Sequence, residues 1–286
     1  MSTPEIANIS ELHERYDALF FDSFGVLVDG VEALPGAIEL VDHMNSENTN
    51  YFIVTNDASV SIRSRANKFA SQGLNIPTKR IVNSGSLITD YIAAKNLKGA
   101  PALVLGTDDV RDYTTAGGAI LVDIKSEQEP DLVVVGHSNP YDWESTLEYL
   151  LNLLGRRFRS GNPIKLILPN PDFVYPNGLN KFSFGAASFV NLLEQALLRL
   201  HGSHDELTAI KLGKPYQPIF KLALLRAKTS NAVMIGDQLE TDILGANQMS
   251  LDSAVVTTGI NRKSSAEDFK EVSKDQTPRY ILRSLI

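Results

Sequence analysis

The chain has 286 residues, 43% hydrophobic and 21% charged, which suits one large or two ordinary globular domains. Its net charge of −7 argues against nucleic acid or an anionic membrane as the main partner, and no apolar run approaches the roughly 20 residues of a membrane helix. The absence of cysteine excludes disulfides, thiol catalysis and cysteine-ligated zinc, and the opening MSTPEIANISELHERYD lacks the pattern of a secretion signal, so a cytoplasmic protein is expected.

In chain order, YDALFF (16–21) predicts a buried strand, PGAIELVDHMNS (35–46) a helix behind a proline, and YFIVTN (51–56) a second buried strand. SVSIRSRANKFASQG (59–73) predicts a helix from a serine cap to Gly73. Strands follow at PALVLG (101–106), AILV (119–122), DLVVVGH (131–137) and IKLILPN (164–170), with a helix at YDWESTLEYLLNLLGR (141–156). The last third alternates again. Helices are predicted at 186–200, 218–228 and 241–249, and strands at 209–213, 232–237 and 253–259. This alternation implies an α/β chain with parallel sheets, whose ligands gather at the carboxyl ends of the strands.

Those ends present Asp22, the pair Thr55–Asn56, Lys214, and Gly236–Asp237. Singly, each has an ordinary reading as a turn former, cap or surface lysine. Together they suit phosphate. A carboxylate can attack phosphorus and form an aspartyl-phosphate. Phosphate and carboxylate repel, so the site needs positive charge: Mg2+ on hard oxygen ligands such as Asp22 and Asp237, and the ammonium of Lys214. Thr55 and Asn56 supply neutral donors to phosphoryl oxygens. Gly236 allows close backbone approach. Asp242 is placed to hold a metal-bound water or to orient Lys214, although an acid at a helix start is about as ordinary a reading.

Four motifs in order, FFDSFGVL (20–27), IVTND (53–57), GKP (213–215) and MIGDQLETDI (234–243), resemble the haloacid dehalogenase-like hydrolase superfamily. DGVEALPGA (29–37) and NPD (170–172) narrow the resemblance to the class IIA, NagD-type sugar and nucleotide phosphatases. The resemblance spans nearly the whole chain. It implies a Rossmann-like parallel-sheet core with an inserted α/β cap of C2 type, Mg2+, a small phosphorylated metabolite as substrate, and a homodimer. It also implies phosphate contacts from Ser23, Thr55, Asn56, Asp57 and Lys214. The metal would take Asp22, the backbone carbonyl of Phe24 and Asp237, with Asp242 behind them. The short interval from Asp22 to Thr55 holds no cap. The long interval from Thr55 to Lys214 does, so 1–82 and 181–286 are expected to form the catalytic core and 83–180 the cap.

Within the cap, His137, Asn139 and Asp172 are residues to watch, with His137 expected to be structural, Asp172 a turn residue and Trp143 part of a helix core. One position departs from the phosphatase pattern. Two residues after Asp22, where a second aspartate usually protonates the leaving alcohol, stands Phe24. General acid–base help is worth roughly 10²–10⁴-fold, so a slow phosphatase is expected unless Asp29 or Asp57 substitutes or the leaving group is good. The departure keeps two other readings open: a metabolite-binding regulator without turnover, and a metal-independent haloacid dehalogenase. The cap position and the pair Asp237 and Asp242 weigh against the dehalogenase.

Overall fold

The computed structural model describes residues 4–137, 141–176, 181–259, 263 and 265–285. The chain forms two compact units. The first comprises Met1–Thr55, Ile62–Asn83 and Lys214–Ile286, and the second Asn56–Ser61 and Ser84–Gly213. The strands are β1 Glu5–Ala7, β2 Ala18–Phe21, β3 Tyr51–Thr55, β4 Ile81–Asn83, β5 Pro101–Leu105, β6 Ile120–Val122 and β7 Leu132–Val135. They continue as β8 Lys165–Leu168, β9 Val174–Pro176, β10 Phe182–Phe184, β11 Ile210–Lys211, β12 Ala232–Gly236, β13 Asp252–Val256 and β14 Tyr280–Leu282.

The first unit is built on a seven-stranded parallel sheet in the order β1-β14-β13-β12-β2-β3-β4. Its central strands, ALFF, YFIVT and AVMIG, are buried at every position, because helices cover both faces of a parallel sheet. Alternate residues divide between the faces. Leu19, Phe21, Ile53, Val233 and Ile235 enter one core with Leu40, Val41 and Met44 of the helix Ala37–Ser46. Val255 and Ile281 enter a second core with Leu239, Ile243 and Phe269. Register sets Phe21 opposite both Ile235 and Ile53, so the carboxyl ends of β12, β2 and β3 lie side by side.

The second unit has its own parallel sheet in the order β11-β8-β7-β5-β6, with β9 and β10 forming a separate antiparallel pair. Helices Trp143–Arg159 and Ala186–His201 bury Leu150, Leu153, Leu154, Val190, Leu193 and Leu197 in one core. Trp143 stacks on Phe189 at 4.0 Å and packs against that core, as a residue of an apolar helix face should.

Most expected elements form within a few residues of their expected ends. The division of the chain differs. Helix Ala186–His201 and β11, expected in the core segment 181–286, lie in the second unit. The physical reason is tertiary: the apolar stripe of the helix packs in the core that also holds Leu150 and Leu154, and β11 pairs with β8. The expected helix at 241–249 also differs. It is a π-helical turn, Leu239–Ile243, followed by a short α-helix, Leu244–Gln248. Among the described residues, no helix is long and apolar enough to cross a membrane.

Candidate active site

Three carboxylates of the first unit converge. Asp22 directly follows β2, Asp237 directly follows β12, and Asp242 sits in the π-helical turn. Each offers one oxygen, and these oxygens all lie within 4.8 Å of one another. All three residues are buried. Such a concentration of negative charge away from water requires a cation nearby.

Lys214 is that cation. It is 1% exposed, and its Nζ lies 2.8 Å from Asp22 Oδ1 and 2.6 Å from Asp242 Oδ1. Burial alone would push the ammonium down, but Asp22 and Asp242 outweigh it and hold Lys214 above the ordinary lysine range. Burial pushes Asp242 up to about 6, against the pull of Lys214 and with the charge of Asp22 adding to the rise. The π-helical turn fixes the other oxygen of Asp242: the Gln238 N–H donates to Oδ2 at 3.2 Å. Single π-turns recur at functional sites because they re-aim one side chain without unwinding the helix.

The all-oxygen donor set fits a hard divalent cation such as Mg2+. The surroundings fit as well. Gly25, at φ +77°, and Gly259 both flank Asp237, and a Cβ on either would collide with its carboxylate. A Cβ on Gly236 would collide with Asp242. Only glycine lets the chain close so tightly around these groups, and at Gly25 the backbone conformation itself favours glycine. Thr258 Oγ1 donates to the Gly25 carbonyl at 2.6 Å and pins that turn. The Phe24 carbonyl accepts no hydrogen bond among the described residues, since the ladder there uses Ser23 and Val28. Of these features only Gly236 was singled out from sequence. Gly25 lies within the FFDSFGVL motif, whereas Gly259 and Thr258 carry no motif beyond their positions after a strand.

The remaining expected residues divide between the units. Ser23 is fully buried, and its Oγ has no hydrogen-bond partner among the described residues. Thr55 ends β3, next to β2 in the sheet, and is 2% exposed. Asn56 and Asp57 belong to the second unit. There the Asn56 amide donates to Asp172 Oδ1 at 2.8 Å, and Asp57 Oδ1 accepts the Ser59 N–H at 2.8 Å and the Ser59 hydroxyl at 2.6 Å. Thus Asp172, expected to be a turn residue, orients Asn56. His137 follows β7, and its N–H donates to the Leu105 carbonyl at 3.3 Å. Asn139 lies outside the described residues.

Phe24 does not stand in for an acid. Its ring packs against the first unit's core, and the Arg65 guanidinium sits 5.5 Å from its centroid. Arg65 is only 4% exposed and also lies 5.8 Å from the Phe69 ring; burial brings it down to about 10. Asp29, a candidate substitute, is exposed, and its Oδ1 accepts the N–H groups of Val31 and Glu32. Those backbone bonds hold its carboxyl below the usual range, which is the wrong direction for a proton donor.

The geometry agrees with the comparisons. Residues 19–119 match the family model described as haloacid dehalogenase-like hydrolase, and residues 211–286 match a second, HAD-hydrolase-like model. A solved structure described as a possible sugar phosphatase of the HAD superfamily, from Cytophaga hutchinsonii, is 30% identical over 99% of each chain, with a TM-score of 0.82. An acid sugar phosphatase of Staphylococcus saprophyticus is 25% identical over 95% of this chain and 96% of its own. A glycerol phosphate phosphatase of Mycobacterium tuberculosis, solved with magnesium, is 27% identical over 96% of this chain and 77% of its own, with a TM-score of 0.79. The same enzyme has been solved with calcium. The chain belongs to the haloacid dehalogenase-like hydrolases, in the class IIA, NagD-type branch, and is a phosphoric monoester hydrolase.

Proposed function

We propose that the chain is a Mg2+-dependent phosphatase of a small phosphorylated metabolite, a sugar phosphate or nucleotide-like monoester, acting through an aspartyl-phosphate on Asp22. The observation that carries this reading is the buried Lys214 held between Asp22 and Asp242, with Asp237 completing the carboxylate group. The named activities of the relatives from Staphylococcus saprophyticus and Mycobacterium tuberculosis support the substrate class.

Lys214 holds Asp22 in one orientation and offsets part of the charge that a phosphate brings. Asp242 keeps Lys214 in place through its ion pair and is itself fixed by the Gln238 N–H. A Mg2+ held by Asp22, Asp237 and the Phe24 carbonyl, with Asp242 behind them, would add positive charge at the phosphoryl oxygens. Thr55 and Ser23, at the ends of adjacent strands, are assigned to the phosphate. Asn56 and Asp57 are assigned to the phosphate by the IVTND motif.

The test is phosphate release from a panel of monoesters. Release should require Mg2+, stop with EDTA, and fall to background in Asp22→Asn with the fold retained by circular dichroism. An Asp22→Asn protein with undiminished turnover would remove the covalent mechanism.

A further inference from the structure

When a phosphate ester of a simple alcohol is cleaved, the departing oxygen is a strong base and needs a proton. The loop that carries Asp22 offers no acidic proton donor. From 23 to 28 its residues are Ser, Phe, Gly, Val, Leu and Val, and Val26, Leu27 and Val28 are buried in the core. Of the two candidate substitutes, Asp29 is held ionised by two backbone N–H groups, and Asp57 is engaged as an acceptor, its Oδ1 taking the N–H and the hydroxyl of Ser59. Both oxygens of Asp242 face donors, Lys214 on one side and Gln238 on the other. The first unit has two histidines, both at the opposite end of the sheet. His13 faces Thr49, just before β3, and His43 lies in the last turn of the helix leading to β3. The chain has no cysteine.

The aromatic side chain at position 24 is also accommodated by its surroundings. Arg65 lies over both Phe24 and Phe69, and Gly30, at φ +104°, leaves room at the edge of the Phe24 ring, where a Cβ would stand 3.3 Å from Cε1. A buried guanidinium beside position 24 would hold a carboxylate there ionised, so the environment is built for a ring and not for an acid.

We propose that this phosphatase is selective for leaving groups that depart as stable anions: acyl, enol or aryl phosphates and, among sugars, the anomeric phosphate over one on a hydroxymethyl group. The inference rests on the phosphatase reading above and narrows its substrate class. In the first step an Asp22 oxygen bonds to phosphorus as the bond to the leaving oxygen breaks. The electron pair leaves with that oxygen, and no proton is transferred from the protein. Water then attacks the aspartyl-phosphate, the acyl–phosphate P–O bond breaks, Asp22 is regenerated as a carboxylate, and the proton of the water passes to phosphate or solvent.

The experiment measures kcat/KM with Mg2+ for acetyl phosphate, a series of substituted phenyl phosphates, and ethyl and glycerol phosphates. The expected result is a steady fall as the leaving-group pKa rises, with alkyl esters on the order of 10²–10⁴-fold below aryl esters of similar size after correction for intrinsic reactivity, the range a general acid would otherwise recover. A flat profile, or alkyl esters turned over as fast as aryl ones, overturns the proposal and leaves the phosphatase reading standing. No release from any compound overturns both. The same series is run on Asp29→Asn, Glu32→Gln and Glu240→Gln, which remove the exposed carboxylates nearest these loops in sequence. An unchanged slope in all three supports the proposal. A variant that slows only the alkyl esters identifies a proton donor and overturns it.

Discussion

Lys214 is bound to the first unit by a buried ionic group. Its ammonium is fully buried and makes ion pairs of 2.8 and 2.6 Å with two buried carboxylates. Removing one member of a buried ionic group leaves the others uncompensated, which costs more than the group contributes when intact. Lys214→Met is therefore expected to lose roughly 3–5 kcal/mol of stability as well as turnover, measured by urea denaturation with EDTA present. A loss below about 1 kcal/mol would show that the carboxylates are solvated or protonated in solution. Lys214 was legible as a functional candidate from its GKP motif, because a charged residue after a β-strand has a chemical reason to be there. The packing of Gly25 and Gly259 against Asp237 was not. Their role depends on the approach of a side chain more than two hundred residues away from Gly25, and no local pattern records that distance.

At the scale of elements, the π-helical turn Leu239–Ile243 illustrates the limit of periodicity. TDILGANQM reads as ordinary α-helix, because an extra residue in one turn leaves the apolar spacing around it nearly intact. The extra residue nevertheless decides where Asp242 points. Deleting Glu240, which is exposed, should restore an α-turn and rotate Asp242 by about 100° relative to the residues before it. Activity should fall about 10–100-fold, as when a supporting ligand is lost, while far-UV circular dichroism is unchanged. Full activity would mean that the turn has no positioning role. The short strands were similarly hard to foresee: β1, β4 and β14 have three residues each, too few to show a period. Contacts on neighbouring elements hold the edge that carries β13 and β14. Tyr16, just after the helix Ile9–Arg15, donates to Asp252 Oδ2 at 2.6 Å and lies 3.0 Å from the Tyr280 hydroxyl. Burial, then the bond to Asp252, raises the Tyr16 phenol above its ordinary value of 10.0. A raised phenol stabilises the fold fully below about pH 10, and that contribution is lost as pH rises further. Tyr16→Phe should cost roughly 1.5 kcal/mol at neutral pH, the low end for a bond to a charged group, and flatten the decline in thermal midpoint above pH 10. An unchanged alkaline slope would place that decline elsewhere.

At the scale of the molecule, the alternation of strands and helices made two α/β bodies foreseeable, and the long interval between Thr55 and Lys214 made an insertion foreseeable. The second crossing was misplaced because helix Ala186–His201 has the same kind of apolar stripe in either unit. Only its packing decides between them, with Val190, Leu193 and Leu197 in one core with Leu150, Leu153 and Leu154. A fully buried leucine or valine contributes about 1.5–3 kcal/mol, so losing those three side chains of the helix would remove much of the roughly 5–15 kcal/mol by which a whole domain is stable. Loss of β11 would also leave β8 as an unpaired edge. The excised segment 84–213 should therefore unfold cooperatively on heating, whereas 84–180 should show no transition and should bind a hydrophobic dye. The two segments share β5 to β8 and differ in the helix, β10 and β11, so the comparison isolates the contribution of 181–213. If 84–180 melts cooperatively and 84–213 gains nothing from the added residues, the expected boundary near 180 is right and the helix belongs energetically to the first unit.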